Sequence, residues 1–155
     1  MNTFFLLGQI PDGSYHHRII HASNKEKILE WWVGIWGDIK QSPCLVLSYD
    51  EFKVALGTTV QAMESLVNEG CSAFALYVVE GHDPNYPDVS DISEGATVTL
   101  VLGQGADIFQ AVEQYQHDYP NDLVVGGFAL DHLLHVYQTM QDVYYNRIRP
   151  DEVLR

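Results

Sequence analysis

The sequence predicts a single α+β domain over residues 1–155, with one mixed β-sheet of about five to six strands and four to five helices packed on it. Three observations lead to that expectation. Short apolar or alternating runs interleave with amphipathic stretches in the order β-β-α-β-α-α-β-β-α-β-α. Side-chain capping signals recur just ahead of the amphipathic stretches. Finally, 155 residues at 46% hydrophobic and 12% aromatic are too apolar for disorder, and a chain of that length buries about 68–70% of its extended surface.

Thr3–Ile10 and Tyr15–Ala22 read as strands joined by Pro11-Asp12-Gly13-Ser14, a strong turn signal. Strand alternation puts His17 and His21 on one face of the second strand and His16 on the other, which suits a solvated or edge strand better than a metal site. Ser23 and Glu26 form an S-x-x-E capping box, opening a helix to about Gly37. Its apolar side chains, Ile28 to Trp36, cover an arc of about 200°, which suggests packing on two sides or one tryptophan at an edge. Trp31 is the edge candidate, although core packing is the expected role of all three tryptophans.

Cys44–Leu47 is a short strand, and Ser48 with Glu51 makes a second capping box for a helix stopping near Gly57. A further helix is expected from Thr58 to Gly70. The pair resembles a helix-turn-helix in spacing, but its second helix offers Glu64 and Glu69 and no cation, which is wrong for phosphate. Ser72–Glu80 and Ala96–Leu102 are the most convincing strands, separated by the fifteen-residue loop Gly81–Gly95. Asp107 with Gln110 caps the next helix. Leu123–Val125 is a short strand, and Gly126-Gly127 leads into a last helix over about Ala129–Asn146.

Charge is the most unusual property. From Val54 to Asn146 there are thirteen Asp and Glu and no Lys or Arg, where ordinary usage would supply about ten cations. The net charge of −13 disfavours DNA, RNA and anionic membranes and favours a basic protein partner. No run approaches the roughly 18 apolar residues of a membrane span, and no signal peptide is legible at the N-terminus. Cys44 and Cys71 are too few for a disulfide framework and read as small buried hydrophobes. The cytoplasm is the expected location.

Four constellations bear on chemistry. Gly103-x-Gly105 follows a strand and opens a helix, but Ile108 holds the third glycine position and Asp107 stands where a phosphate belongs, so no nucleotide is expected. Gly81–Gly95 partly mimics a calcium loop at Asp83, Asn85, Asp91 and Glu94. Pro87 and Asp88 break that pattern, and no metal or cofactor is expected. On the last helix Asp131, His132, His135, Thr139, Asp142 and Asn146 share a polar face. Asp131 and His135, four apart, could orient a general base, which makes His135, Asp131 and His132 the catalytic alternative. No nucleophile-elbow, C-x-x-C or H-E-x-x-H motif is present.

The leading expectation is therefore an acidic binding or inhibitory protein of the toxin-immunity, antirestriction or phage anti-defence type, docking carboxylates on a basic partner such as a nuclease or toxin. Asp83, Asp88, Asp91 and Glu94 are the expected contacts, with Tyr86 as an aromatic anchor. The alternatives are a small enzyme or ligand-binding protein using the His135/Asp131 face, and an accessory subunit presenting Trp31 or the tyrosine-rich last helix.

Overall fold

A computed structural model of the chain describes residues 1–37, 44–56, 72–80 and 98–155. The strands are β1 (Asn2–Gln9), β2 (Tyr15–Ala22), β3 (Cys44–Ser48), β4 (Ala73–Val79), β5 (Val98–Gln104), β6 (Leu123–Ala129) and β7 (Glu152–Leu154). The helices are α1 (Lys25–Trp36), α2 (Tyr49–Leu56), α3 (Ile108–Asp118) and α4 (Leu133–Tyr144), the last preceded by a 3₁₀ turn, Leu130–His132.

The strands form two sheets instead of the single one expected: a mixed sheet A in the order β3-β1-β2-β7 and an antiparallel sheet B in the order β5-β4-β6. Apolar strands such as β1 and β4 bury both faces in either arrangement, so their composition does not distinguish one large sheet from two stacked ones. The stack has four layers. Phe4, Leu6, Ile20 and Val46 on one face of sheet A pack against Ile28, Leu29 and Trp32 of α1. Phe5, Leu7, Ile19, Leu45 and Leu47 on the other face meet Ala75, Tyr77, Val125 and Phe128 of sheet B, with α2 and α4 closing the same core. Leu76, Val78 and Val124 on the far side of sheet B carry Ile108, Val112 and Tyr115 of α3.

Local chemistry explains most element starts. Asp12 Oδ1 accepts hydrogen bonds from the Ser14 amide at 2.8 Å and hydroxyl at 2.6 Å, fixing the β1–β2 turn. At α2 both capping-box bonds form, Glu51 N to Ser48 Oγ at 3.2 Å and Ser48 N to Glu51 Oε1 at 2.9 Å. Lys25 Nζ adds an ion pair to Glu51 at 2.7 Å, tying the start of α1 to the cap of α2. Asp107 accepts from Gln110 N at 2.8 Å, and Gln110 Oε1 accepts from Ala106 N at 2.6 Å. The cap of α1 differs from expectation: Asn24, not Ser23, accepts from Lys27 N at 3.0 Å. Both residues are good caps, and the extended pairing of β2 runs on to Ala22, which starts the helix one position later.

α1 is buried on one side only. Ile28, Leu29 and Trp32 are interior, Trp31 and Trp36 half-buried, and Val33 and Ile35 exposed.

Gly126-Gly127 does not lead into the last helix; both residues lie inside β6. A Cβ on Gly127 would collide with the Ala75 carbonyl, and one on Gly126 would sit 2.8 Å from Tyr15 Cδ1 and 3.2 Å from Leu7 Cγ. Gly126 therefore marks where sheet B lies close to sheet A, and Gly127 a close approach to the neighbouring strand β4. The ladder shifts between Tyr77 and Val78, with Gly126 opposite Tyr77 and Val124 opposite Val78, so Val125 is the extra residue of a bulge.

β7 was not expected. Glu152–Leu154 runs parallel to Ile20–Ala22. Just before it, Asp151 N donates to Ile19 O at 2.8 Å while Asp151 Oδ2 accepts from Ile19 N at 2.7 Å. The carboxylate thus takes the place of a main-chain carbonyl on the edge of β2.

Candidate functional site

The expected contact residues Asp83, Tyr86, Asp88, Asp91 and Glu94 lie outside the described residues, as do the helix expected over Thr58–Gly70, with Glu64 and Glu69, and Cys71. The charge division of the sequence does become spatial. Every described Lys and Arg (Arg18, Lys25, Lys27, Lys53, Arg147, Arg149, Arg155) belongs to β2, α1, α2 or the segment after α4. The segments building sheet B and α3 carry Glu80, Asp107, Glu113, Asp118 and Asp122 and, among the described residues, no Lys or Arg; their one histidine, His117, lies 3.5 Å from Asp118 Oδ1.

Four of these acids have hydrogen-bond partners: Glu80 Oε1 accepts from Thr99 Oγ1 at 3.4 Å and Asp118 Oδ1 from Gln114 Nε2 at 3.2 Å. Asp107 caps α3, and Asp122 Oδ2 accepts the Tyr115 hydroxyl at 3.2 Å. Burial, then the neighbouring Asp122 carboxylate, pushes the Tyr115 phenol up to about 12. Glu80, Glu113 and Asp118 remain exposed. Between β5 and α3 the surface is concave: a cleft of about 550 Å³ is lined by Glu80, Gln104, Tyr115, Asp118, Tyr119 and Asp122, among others. Tyr115 and Tyr119 stack there with centroids 4.7 Å apart.

The catalytic alternative is divided differently from the sequence reading. Asp131 and His132 sit in the 3₁₀ turn, so the four-residue helical spacing from Asp131 to His135 is not realised. Among the described residues no hydrogen bond joins them. His135 is exposed, and only its carbonyl is engaged, by Thr139 Oγ1 at 2.8 Å.

The fold brings His132 toward His17 instead. The His17 ring packs 5.4 Å from that of Phe128 and 6.2 Å from that of Phe5, on the opposite face of β2 from His16. Burial lowers the His17 pKa below the usual histidine value. Arg18, His132 and His16 push the same way, and Asp151 opposes them. His16 packs edge-on against Trp36, 6.1 Å away.

Compared with known proteins, the chain matches no family model, no curated protein and no solved structure.

Among the described residues no group of three or more His, Cys, Asp or Glu could hold a metal ion, and no helix is long and apolar enough to cross a membrane. Cys44 is buried against α1, and burial pushes its thiol up to about 12, so it is a packing residue with little thiolate character.

A feature that the sequence did not reveal lies at the end of sheet A. A cleft of about 580 Å³ opens between the start of β1, the end of β2, the first turn of α2 and the end of α4, lined in part by Thr3, His21, Ser48, Asp50, Tyr144 and Asn146. Thr3 and His21 are direct cross-strand partners. That pairing depends on the turn to a single residue, so periodicity alone does not place them side by side.

Proposed function

We propose that the protein is an acidic binding protein of the immunity or inhibitor kind, which docks carboxylates on the basic site of a protein partner. The reading rests on one observation: the sheet B and α3 half of the molecule has no Lys or Arg among its described residues, and its concave part gathers Glu80, Asp118 and Asp122 beside the stacked rings of Tyr115 and Tyr119. Carboxylates beside aromatic faces suit a guanidinium or ammonium group, through ion pairing and cation–π attraction together. A basic site built for phosphate attracts such a surface from a distance and is occluded by it. The acids Asp83, Asp88, Asp91 and Glu94, with Tyr86, are further contacts in the proposal.

The test is to capture partners from the source cell at low salt and titrate the captured protein against two variants. One is Glu80→Gln with Asp118→Asn, which leaves Asp122 and its bond to Tyr115 in place. The other neutralises Asp83, Asp88, Asp91 and Glu94. The expected partner is basic and released by salt, and at least one variant binds about fivefold more weakly, the worth of two exposed ion pairs at about 0.5 kcal/mol each. A complex that survives high salt and both variants overturns the reading.

A further inference from the structure

The cleft at the end of sheet A holds an unmet polar group. Thr3 is 7% exposed, and its hydroxyl makes no hydrogen bond to any described residue. Buried hydroxyls in folded proteins nearly always have a partner, so an orphan one lining an open cleft marks a place for a ligand atom. It is not alone. The His21 ring, half-buried beside it, and the Asn146 side-chain amide also make no hydrogen bond to described residues, and both line the same space. Asn146 is held in place by the left-handed end of α4, at φ 59, where its amide N–H donates to Val143 O at 3.1 Å.

The lining restricts what could enter. Among the described residues no Lys or Arg lines the cleft, and the Asp50 carboxylate on its wall offsets the amino group of Met1, which leaves no net positive charge to hold an anion. One carboxylate and one imidazole line the cleft among the described residues, too few to enclose a metal ion. Hydroxyl, amide and imidazole groups can both give and accept hydrogen bonds with an uncharged partner. The wall also carries an aromatic face: Tyr144, 44% exposed, stacks on Tyr49 at 3.9 Å and 12°. A flat ring beside convergent neutral polar groups, in a cleft of about 580 Å³, matches a molecule with hydroxyls around its rim and C–H groups on its face.

We propose that this cleft binds a small uncharged polyhydroxylated molecule of the sugar or cyclitol kind, with Thr3, His21 and Asn146 as its hydrogen-bonding residues and Tyr144 as its stacking surface. The site is separate from the acidic half of the molecule and does not depend on the docking proposal.

The test is an amide-resolved NMR titration of the full chain with D-glucose, D-galactose, D-mannose and myo-inositol, and with glucose 6-phosphate as the charged counterpart. The expected result is saturable shifts at Thr3, His21, Ser48 and Asn146 with at least one neutral polyol, and weaker binding of the phosphate ester. Thr3→Val removes the hydroxyl at nearly constant shape. It is expected to weaken binding by about fivefold, the worth of one neutral hydrogen bond, while leaving the melting temperature unchanged or higher, because no protein partner is lost. Asn146→Gly keeps the left-handed backbone, deletes the amide and is expected to weaken binding likewise. The proposal is overturned if none of the four polyols shifts these amides, if only the phosphate ester binds, if both variants bind like the wild type, or if Thr3→Val melts lower.

Discussion

The same substitution, glycine to alanine, is predicted to have opposite effects at two positions. At Gly8, near the end of β1, an added Cβ would lie 2.5 Å and 2.7 Å from Trp32 Cζ2 and Cη2 and 2.9 Å from Cys44 Cβ. None of these atoms can move aside cheaply. Trp32 is 2% exposed and packed against Trp36, and the Cys44 Cβ belongs to the neighbouring strand β3. Overpacking of this kind costs about 2–3 kcal/mol, and the intrinsic advantage of alanine over glycine returns about 0.5–1 kcal/mol. Gly8→Ala is therefore expected to destabilise by about 1–2.5 kcal/mol, or to lower the melting temperature by about 2–10 °C for a chain of this size. At Gly34, on the exposed side of α1, the new Cβ meets nothing within 4 Å. Gly34→Ala is expected to stabilise by about 0.5–1 kcal/mol and raise the melting temperature by about 1–4 °C. Paired thermal melts of the two variants, with tryptophan fluorescence reporting on Trp32, measure both. Shifts of the same sign, or a neutral Gly8→Ala, would refute the packing of α1 on sheet A described above.

Two further outcomes follow from caps and charge. Asp107→Ala removes the α3 cap and is expected to cost about 1 kcal/mol in urea or thermal unfolding, with Asp107→Asn losing much less because asparagine also caps. His17, whose pKa is lowered by burial, stabilises the fold only while neutral. That contribution is present above the ordinary histidine value of 6.5 and is lost as the pH falls through the lower folded value. Melting temperature should therefore fall more steeply between about pH 7.5 and pH 5.5 in the wild type than in His17→Phe, and parallel pH profiles would refute the assignment.

Features encoded within a few residues were legible in the sequence. The capping pairs Ser48/Glu51 and Asp107/Gln110 form as their spacing requires, and strand alternation correctly put His17 and His21 on one face of β2. The misread features depend on distant parts of the chain. Gly126 and Gly127 look like a turn until Ala75, Leu7 and Tyr15 are seen to press against them. Leu130–His132 tightens into a 3₁₀ turn before α4, which removes the helical register that paired Asp131 with His135. The two-sheet arrangement leaves no mark on composition, because a strand buried on both faces is equally apolar in one broad sheet or in a stack of two. The cleft at Thr3 was invisible for a similar reason: its lining comes from β1, β2, α2 and the end of α4, and no local pattern joins them.

The clamp between Asp151 and Ile19 also bears on the order of folding. The two residues are 132 positions apart, whereas β1 and β2 are joined by a tight turn. A hairpin of this kind forms in about 1–10 μs, but a contact across so long a loop must wait for the intervening chain to condense. Until then the Ile19–Ala22 edge of β2 carries unpaired main-chain groups, a template on which a second chain could add a strand. In the finished fold β7 is only three residues long, with Val153 45% exposed, so it should also be the first strand of sheet A to peel away. The moment of greatest risk of aggregation is thus set by when one aspartate arrives, more than by the strength of the core.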